Sequence, residues 1–243
     1  MTVAECRFAE VAAPRTAIML PGTGSDDVFV RAVFEIPLAA VGIRLVAPPP
    51  VPGSTLAEAA LEALSTSAFA APVLVGGVSF GAHLAAEWAV RNPDRCAGLL
   101  LALPAWHGPP GAAPASLSAS LSAAQVHSLG VAGALAAGDL PEWLSTELGR
   151  AWRGYGPKLA DSLLAAAGRA APTLAELAGV AVPAGLAACV DDPIHPAAEA
   201  TTWADALPRA SVCTTRLAVV GLDPESLGRA AVLAWLRASG RPG

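Results

Sequence analysis

Short apolar runs alternate with amphipathic stretches along most of the chain. Residues Thr16–Leu20, 43–47, 97–103, 184–190 and 211–217 read as strands flanked by turn residues, and the apolar run Val73, Leu74 and Val75 reads as another that meets a glycine pair before Val78. Residues 6–11 have the pattern of a further short edge strand. Between these runs the apolar positions fall at helical spacing. Val28, Phe29, Ala32, Val33 and Ile36 follow Ser25 and Asp26, either of which can cap a helix. Leu56, Ala60 and Leu64 share one face behind Ser54 or Thr55, and Leu84, Ala85, Trp88 and Ala89 share another. Helices are expected again near residues 197–206 and 224–237. Repeated strand–helix units predict an α/β fold whose mostly parallel, doubly wound sheet is covered on both faces.

The rhythm breaks between residues 108 and 179. This stretch is rich in Ala, Ser, Pro and Gly, shows no strand pattern, and predicts helices at about residues 118–129, 141–153 and 158–170. It is too long for a bare loop in a compact domain. The expected organisation is therefore an α/β core from residues 1–107 and 180–243, with 108–179 inserted as a helical cap over the strand ends.

Composition narrows the class. At 243 residues the chain suits one α/β domain. A hydrophobic content of 54% and a mean hydropathy of +0.52 raise the question of a membrane. Much of that content is alanine, and the longest weakly charged stretch, 69–90, is broken by Pro72, glycines, Ser79, His83 and Glu87. The first ten residues carry Glu5 and Glu10 without a basic start or apolar run, so neither a membrane span nor a signal peptide is expected. Net charge is −5, with Lys158 the single lysine and no basic stripe, which argues against nucleic acid as a partner. Cys6, Cys96, Cys189 and Cys213 are far apart and read as reduced thiols of a cytoplasmic protein. The Ala, Arg, Gly and Pro usage is that of a GC-rich bacterial genome. Metal-ligand spacing and a dinucleotide-binding glycine fingerprint are both missing, so no metal and no cofactor are implied. The sequence says nothing of the oligomeric state.

In a parallel sheet ligands gather beyond the strand C-terminal ends. The segments expected there are PGTGSD, VSFG, LPAWHG, DDPIHP and the loop 218–223. Gly77-Val78-Ser79-Phe80-Gly81 is G-x-S-x-G between a strand and a helix, the context of a nucleophile elbow. A side chain bent sharply out of that corner is crowded, so the residues two positions either side must be small. The helix start then aims free amides at negative charge forming near Ser79.

With this elbow, the early PGTG turn and the late D-P-x-x-P loop in this order, the chain resembles the α/β-hydrolase superfamily along nearly its whole length. The resemblance implies Ser79 as nucleophile and an oxyanion hole from the amides of Phe80 and Thr23, with Gly22 allowing close backbone approach. It also implies an acid after the penultimate strand, where Asp192 fits and Asp191 is its nearest rival.

The chain departs from that family in one respect. The family's histidine follows the last strand, and no histidine occurs after His195. A serine without a base is a poor nucleophile. His83 lies one helical turn past Ser79 and is expected against the sheet. His107 ends a strand at the active edge, and His127 belongs to the cap. His195 is the best candidate, because it shares a loop with Asp192 and could hydrogen-bond it or Asp223, which sits near the vacant family position.

The expected function is a serine hydrolase of a small or medium apolar ester or thioester, acting on a small-molecule acyl substrate through an acyl-enzyme on Ser79. Trp106 and the cap residues Leu129, Trp143, Leu144, Trp152 and Tyr155 suggest a mostly apolar acyl pocket. The alternatives are a hydrolase-fold binding or regulatory module without hydrolytic activity, or a lyase or isomerase using the same oxyanion hole.

Overall fold

The computed structural model describes residues 14–67 and 72–240. The edge strand expected at 6–11 and Cys6 lie outside the described residues. Strand β1 (Thr16–Leu20) is followed by helix α1 (Asp27–Ala39), capped by Asp26, whose side chain accepts the Phe29 amide at 3.0 Å. Strand β2 (Arg44–Val46), helix α2 (Leu56–Ser67), strand β3 (Val73–Val78) and helix α3 (Phe80–Arg91) complete the first half. Strand β4 (Cys96–Ala102) leads into α4 (Pro114–Ala137), α5 (Glu142–Tyr155), α6 (Leu159–Ala167) and the short α7 (Leu174–Leu177). Strand β5 (Ala184–Cys189), α8 (Ala197–Ala206), strand β6 (Ala210–Thr215), α9 (Leu217–Leu222) and α10 (Glu225–Ala238) complete the chain.

The six strands form one sheet in the order β2-β1-β3-β4-β5-β6, and every neighbouring pair is parallel. All six residues of β3 and of β5 are buried, as unbroken apolar runs in a two-sided sheet require. Alternation along each strand divides the core into two layers. Ile18, Leu20, Val73 and Val75 pack with α2, α3 and α8, while Ala17, Met19 and Leu74 pack with α1 and α10. Strand order reverses between β1 and β3, so the crevice at their C-terminal ends is the natural place for a ligand. None of the described helices is long and apolar enough to cross a membrane.

Two expectations change. The segment 218–223 is not a loop, and the last strand does not reach residue 217: β6 ends at Thr215 and α9 begins at Leu217. Asp191 is the local cause, since its carboxylate accepts the Leu217 amide at 2.6 Å and satisfies a free donor of the new helix. In the insertion, α4 is longer than residues 118–129, but its backbone breaks at Gly130 (φ 69°, ψ 173°), next to the expected end of that first helix. The buried faces of α4, α5 and α6, with Ala123, Trp152, Tyr155 and Leu163, join the same core layer as α2 and α3.

Candidate active site

The glycines at both ends of G-x-S-x-G are explained by one contact. A Cβ on Gly77 would lie 2.5 Å from the Leu20 carbonyl oxygen and 2.7 Å from the Gly81 carbonyl carbon. A Cβ on Gly81 would lie 2.4 Å from the same Leu20 oxygen. The end of β1 thus presses into the β3–α3 corner, and only hydrogens fit there. Between the glycines Ser79 takes φ 53° and ψ −116°, a backbone state that costs a side-chain-bearing residue about 1–3 kcal/mol. Its amide donates to the Ala102 carbonyl at 2.8 Å, which pins the corner to β4.

The structure brings three of the sequence-predicted residues together. Ser79 Oγ is 2.9 Å from His195 Nε2, and His195 Nδ1 is 2.8 Å from Asp192 Oδ2. Asp192 Oδ1 accepts the amides of Ile194 at 2.8 Å and His195 at 3.1 Å, so the loop after β5 folds around its own carboxylate. The Asp192 side chain is 4% exposed. Burial works against its charge, but the His195 hydrogen bond and charge and the two amides outweigh it, and its pKa lies below the usual value. An ionised carboxylate accepts only, so Nδ1 carries the ring proton and Nε2 is left to accept from the serine hydroxyl. This chain of bonds can take a proton off the Ser79 oxygen.

The other histidines do not reach Ser79 in this way. His83 is buried, and its Nε2 accepts the Ala105 amide at 2.9 Å while its ring lies against Trp106 and Trp203. Burial, with a smaller contribution from the charge of His195, lowers its pKa to about 3. His107 Nδ1 meets Glu199 at 2.8 Å, and His127 is exposed on α4. Asp191 is bound to the start of α9, and Asp223 pairs with Arg229. Burial also pushes the Cys96 and Cys189 thiols up to about 12, the state of packing residues.

On the other side of Ser79 runs the turn after β1. A Cβ on Gly22 would lie 3.4 Å from Ser79 Cβ, so this turn borders the hydroxyl directly. Thr23 and Gly24 form its corner, closed by the Ser25 amide donating to Gly22 at 3.1 Å. Phe80 opens α3, where the first amides have no partner within the helix. Trp106 is buried against His83, and its Nε1 donates to the Arg169 carbonyl at 3.3 Å. A small apolar cavity of about 50 Å³ opens beside the turn, walled by Leu20, Gly22, Phe80, Leu84 and Tyr155 and by the proline-rich loop leading into α2. Among the described residues no three His, Cys, Asp or Glu side chains gather as a metal site.

Sequence reasoning placed Tyr155 in the apolar pocket, whose wall it does form, but missed Arg150 and the bonds by which both residues hold this turn from the cap. Arg150 Nε and Nη2 donate to Asp26 at 2.9 and 2.8 Å, and Tyr155 Oη donates to the Ser25 carbonyl at 2.9 Å. Their separation of 124 and 130 positions from their partners leaves no spacing to recognise.

Neither a protein-family model nor a curated protein matches the sequence. Solved structures match it closely in shape. A thermophilic esterase from Thermogutta terrifontis is 18% identical over 91% of this chain and 89% of its own, with a TM-score of 0.70. MenH from S. aureus is 16% identical over 96% and 97%, with a TM-score of 0.69. An enol-lactonase from Burkholderia xenovorans is 16% identical over 93% and 92%, with a TM-score of 0.68. The chain has the α/β-hydrolase fold, and the structures it is similar to include hydrolase-fold enzymes of more than one activity.

Proposed function

We propose that the protein is a serine hydrolase that cleaves a small, apolar ester or thioester through an acyl-enzyme on Ser79. The observation that carries this reading is the pair of bonds Ser79 Oγ–His195 Nε2 at 2.9 Å and His195 Nδ1–Asp192 Oδ2 at 2.8 Å. Asp192 orients the ring and stabilises the imidazolium that forms. As Ser79 Oγ attacks the acyl carbon, its proton passes to His195 Nε2. The amides of Phe80 and Thr23 receive the developing oxyanion, each worth about 3 kcal/mol. Collapse of the tetrahedral adduct breaks the bond to the alcohol or thiol, which leaves with the proton from Nε2. Water, deprotonated by the same nitrogen, then attacks the acyl-enzyme and releases the acid. The small apolar cavity of about 50 Å³ beside the turn supports a short acyl group.

A fluorophosphonate probe is expected to label the wild-type chain and not Ser79→Ala. Turnover of p-nitrophenyl acetate or butyrate is expected to fall at least ~100-fold in His195→Ala, the scale of a lost general base. Folded wild-type protein that neither labels nor turns over these esters would reject the proposal in favour of a binding module.

A further inference from the structure

The turn that carries Thr23 is held from outside the sheet. Three side chains of α5 address three consecutive residues of the turn. Trp152 lies against Gly24, where an added Cβ would fall 2.8 Å from its Nε1. Tyr155 Oη donates to the Ser25 carbonyl at 2.9 Å, and the Arg150 guanidinium grips both oxygens of Asp26 at 2.8 and 2.9 Å. Glu147, one turn earlier on α5, holds the same guanidinium from the other side. Asp26 Oδ1 also caps α1, so the carboxylate joins α5, the turn and α1 at one point. Burial opposes the Asp26 charge, yet Arg150 and the amides of Phe29 and Val28 outweigh it and keep the carboxyl below its usual range.

The contact does more than fasten the insertion to the core. A partly exposed ion pair contributes little stability, and the Arg150 side chain is 35% exposed. Its geometry, however, is bidentate and therefore directional. The turn between the anchored Ser25 and the end of β1 is short, and Gly24 at φ 67° has freedom of its own to lose. An oxyanion donor works only if it is already aimed before charge develops, within a few tenths of an ångström.

We infer that Arg150 and Tyr155 are positioning residues that aim the Thr23 amide at the oxyanion, so that the cap takes part in transition-state binding. This inference rests on the reading of Ser79 as nucleophile. A purely structural clamp and a positioning device differ in what they move. The clamp changes unfolding alone. The positioning device changes kcat and the affinity for a tetrahedral adduct, and leaves ground-state binding alone.

The test uses the full chain with Tyr155→Phe, Arg150→Met and Arg150→Lys, assayed on p-nitrophenyl butyrate well below their unfolding temperatures. Tyr155→Phe keeps the ring in the cavity wall and removes only the hydroxyl. Tyr155→Phe and Arg150→Met are each expected to lower kcat about tenfold with KM within about threefold, and to weaken phenylboronic acid in parallel. Arg150→Lys should recover part of the loss, because the charge survives and the fork does not. Amide hydrogen exchange at residues 22–26 is expected to quicken in the folded Tyr155→Phe protein. Wild-type turnover with kcat unchanged in the variants, a change in KM alone, or exchange indistinguishable from wild type overturns the inference and leaves the hydrolase reading standing. A wild-type chain that neither turns over esters nor binds the boronate overturns both.

Discussion

His83 is an imidazole that the proposed chemistry leaves out, and its surroundings say what it does instead. With Nε2 accepting the Ala105 amide, the ring is held neutral among aromatic neighbours and directs the segment after β4 across the site. Leu103 at φ 54° marks the bend that this segment makes as it leaves the sheet. The folded-state pKa of His83 is lowered from 6.5 to about 3. The unfolded chain therefore binds a proton in that window which the folded chain refuses, and stability falls as pH drops from 6.5 towards about 3. The slope due to this residue reaches about 1.4 kcal/mol per pH unit. Urea unfolding of His83→Gln, which retains an acceptor for the amide, is expected to lose less stability between pH 7 and 5 than wild type. Equal losses would place the pH dependence elsewhere.

Among the elements, the β3–α3 corner shows how much a motif states about its own surroundings. Gly81 faces the Leu20 and Pro21 carbonyl oxygens at 2.4 and 2.6 Å from an added Cβ, whereas Gly154 on the outer side of α5 faces nothing within 4 Å. Gly81→Ala is expected to cost about 2 kcal/mol in denaturant unfolding and to abolish probe labelling of Ser79. Gly154→Ala should leave labelling intact and be neutral or stabilising by up to about 1 kcal/mol. The corner was legible in the sequence because its requirements are local: small residues two positions from Ser79, an apolar strand before, a helical face after. So were β1, α8 and most boundaries of the sheet, from apolar period and flanking turn residues, and α1, where a cap agrees with the period. The stretch after β6 was not. Its helix depends on Asp191 reaching the Leu217 amide from another strand end, and its packing depends on Gly221 lying against Trp143 of α5. The tie between Arg150, Tyr155 and the β1 turn was hidden for the same reason, since it is tertiary and carries no periodicity.

For the molecule as a whole, the resemblance to α/β-hydrolases set the fold correctly and left the base as the open position. His195, singled out because it shares a loop with Asp192, lies within hydrogen-bonding distance of both Asp192 and Ser79. The position after β6, where the family keeps its histidine, is filled by α9 packed on α5. The small cavity, walled jointly by β1, α2, α3 and α5, carries the prediction that belongs to this scale. p-Nitrophenyl acetate and butyrate are expected to exceed the octanoate ester in kcat/KM by at least about tenfold, because the small apolar cavity beside Phe80 and Leu84 favours a short acyl chain. Ala60→Leu on α2 should fill the cavity and lower kcat/KM for butyrate more than for acetate. A preference for octanoate in the wild type would move the acyl group to another surface.

Because Asp192 and His195 sit in one loop directly after β5, every side chain assigned to the reaction has been synthesised once residue 195 leaves the ribosome. The elements made afterwards, from α8 to α10, supply the edge strand β6 and the helices that cover β4 and β5 and pack against α1, with Trp203 and Trp235 as their largest buried pieces. A nascent chain would therefore carry its complete reactive set before it could use it, and the start of activity would be timed by the docking of the last strand and helix.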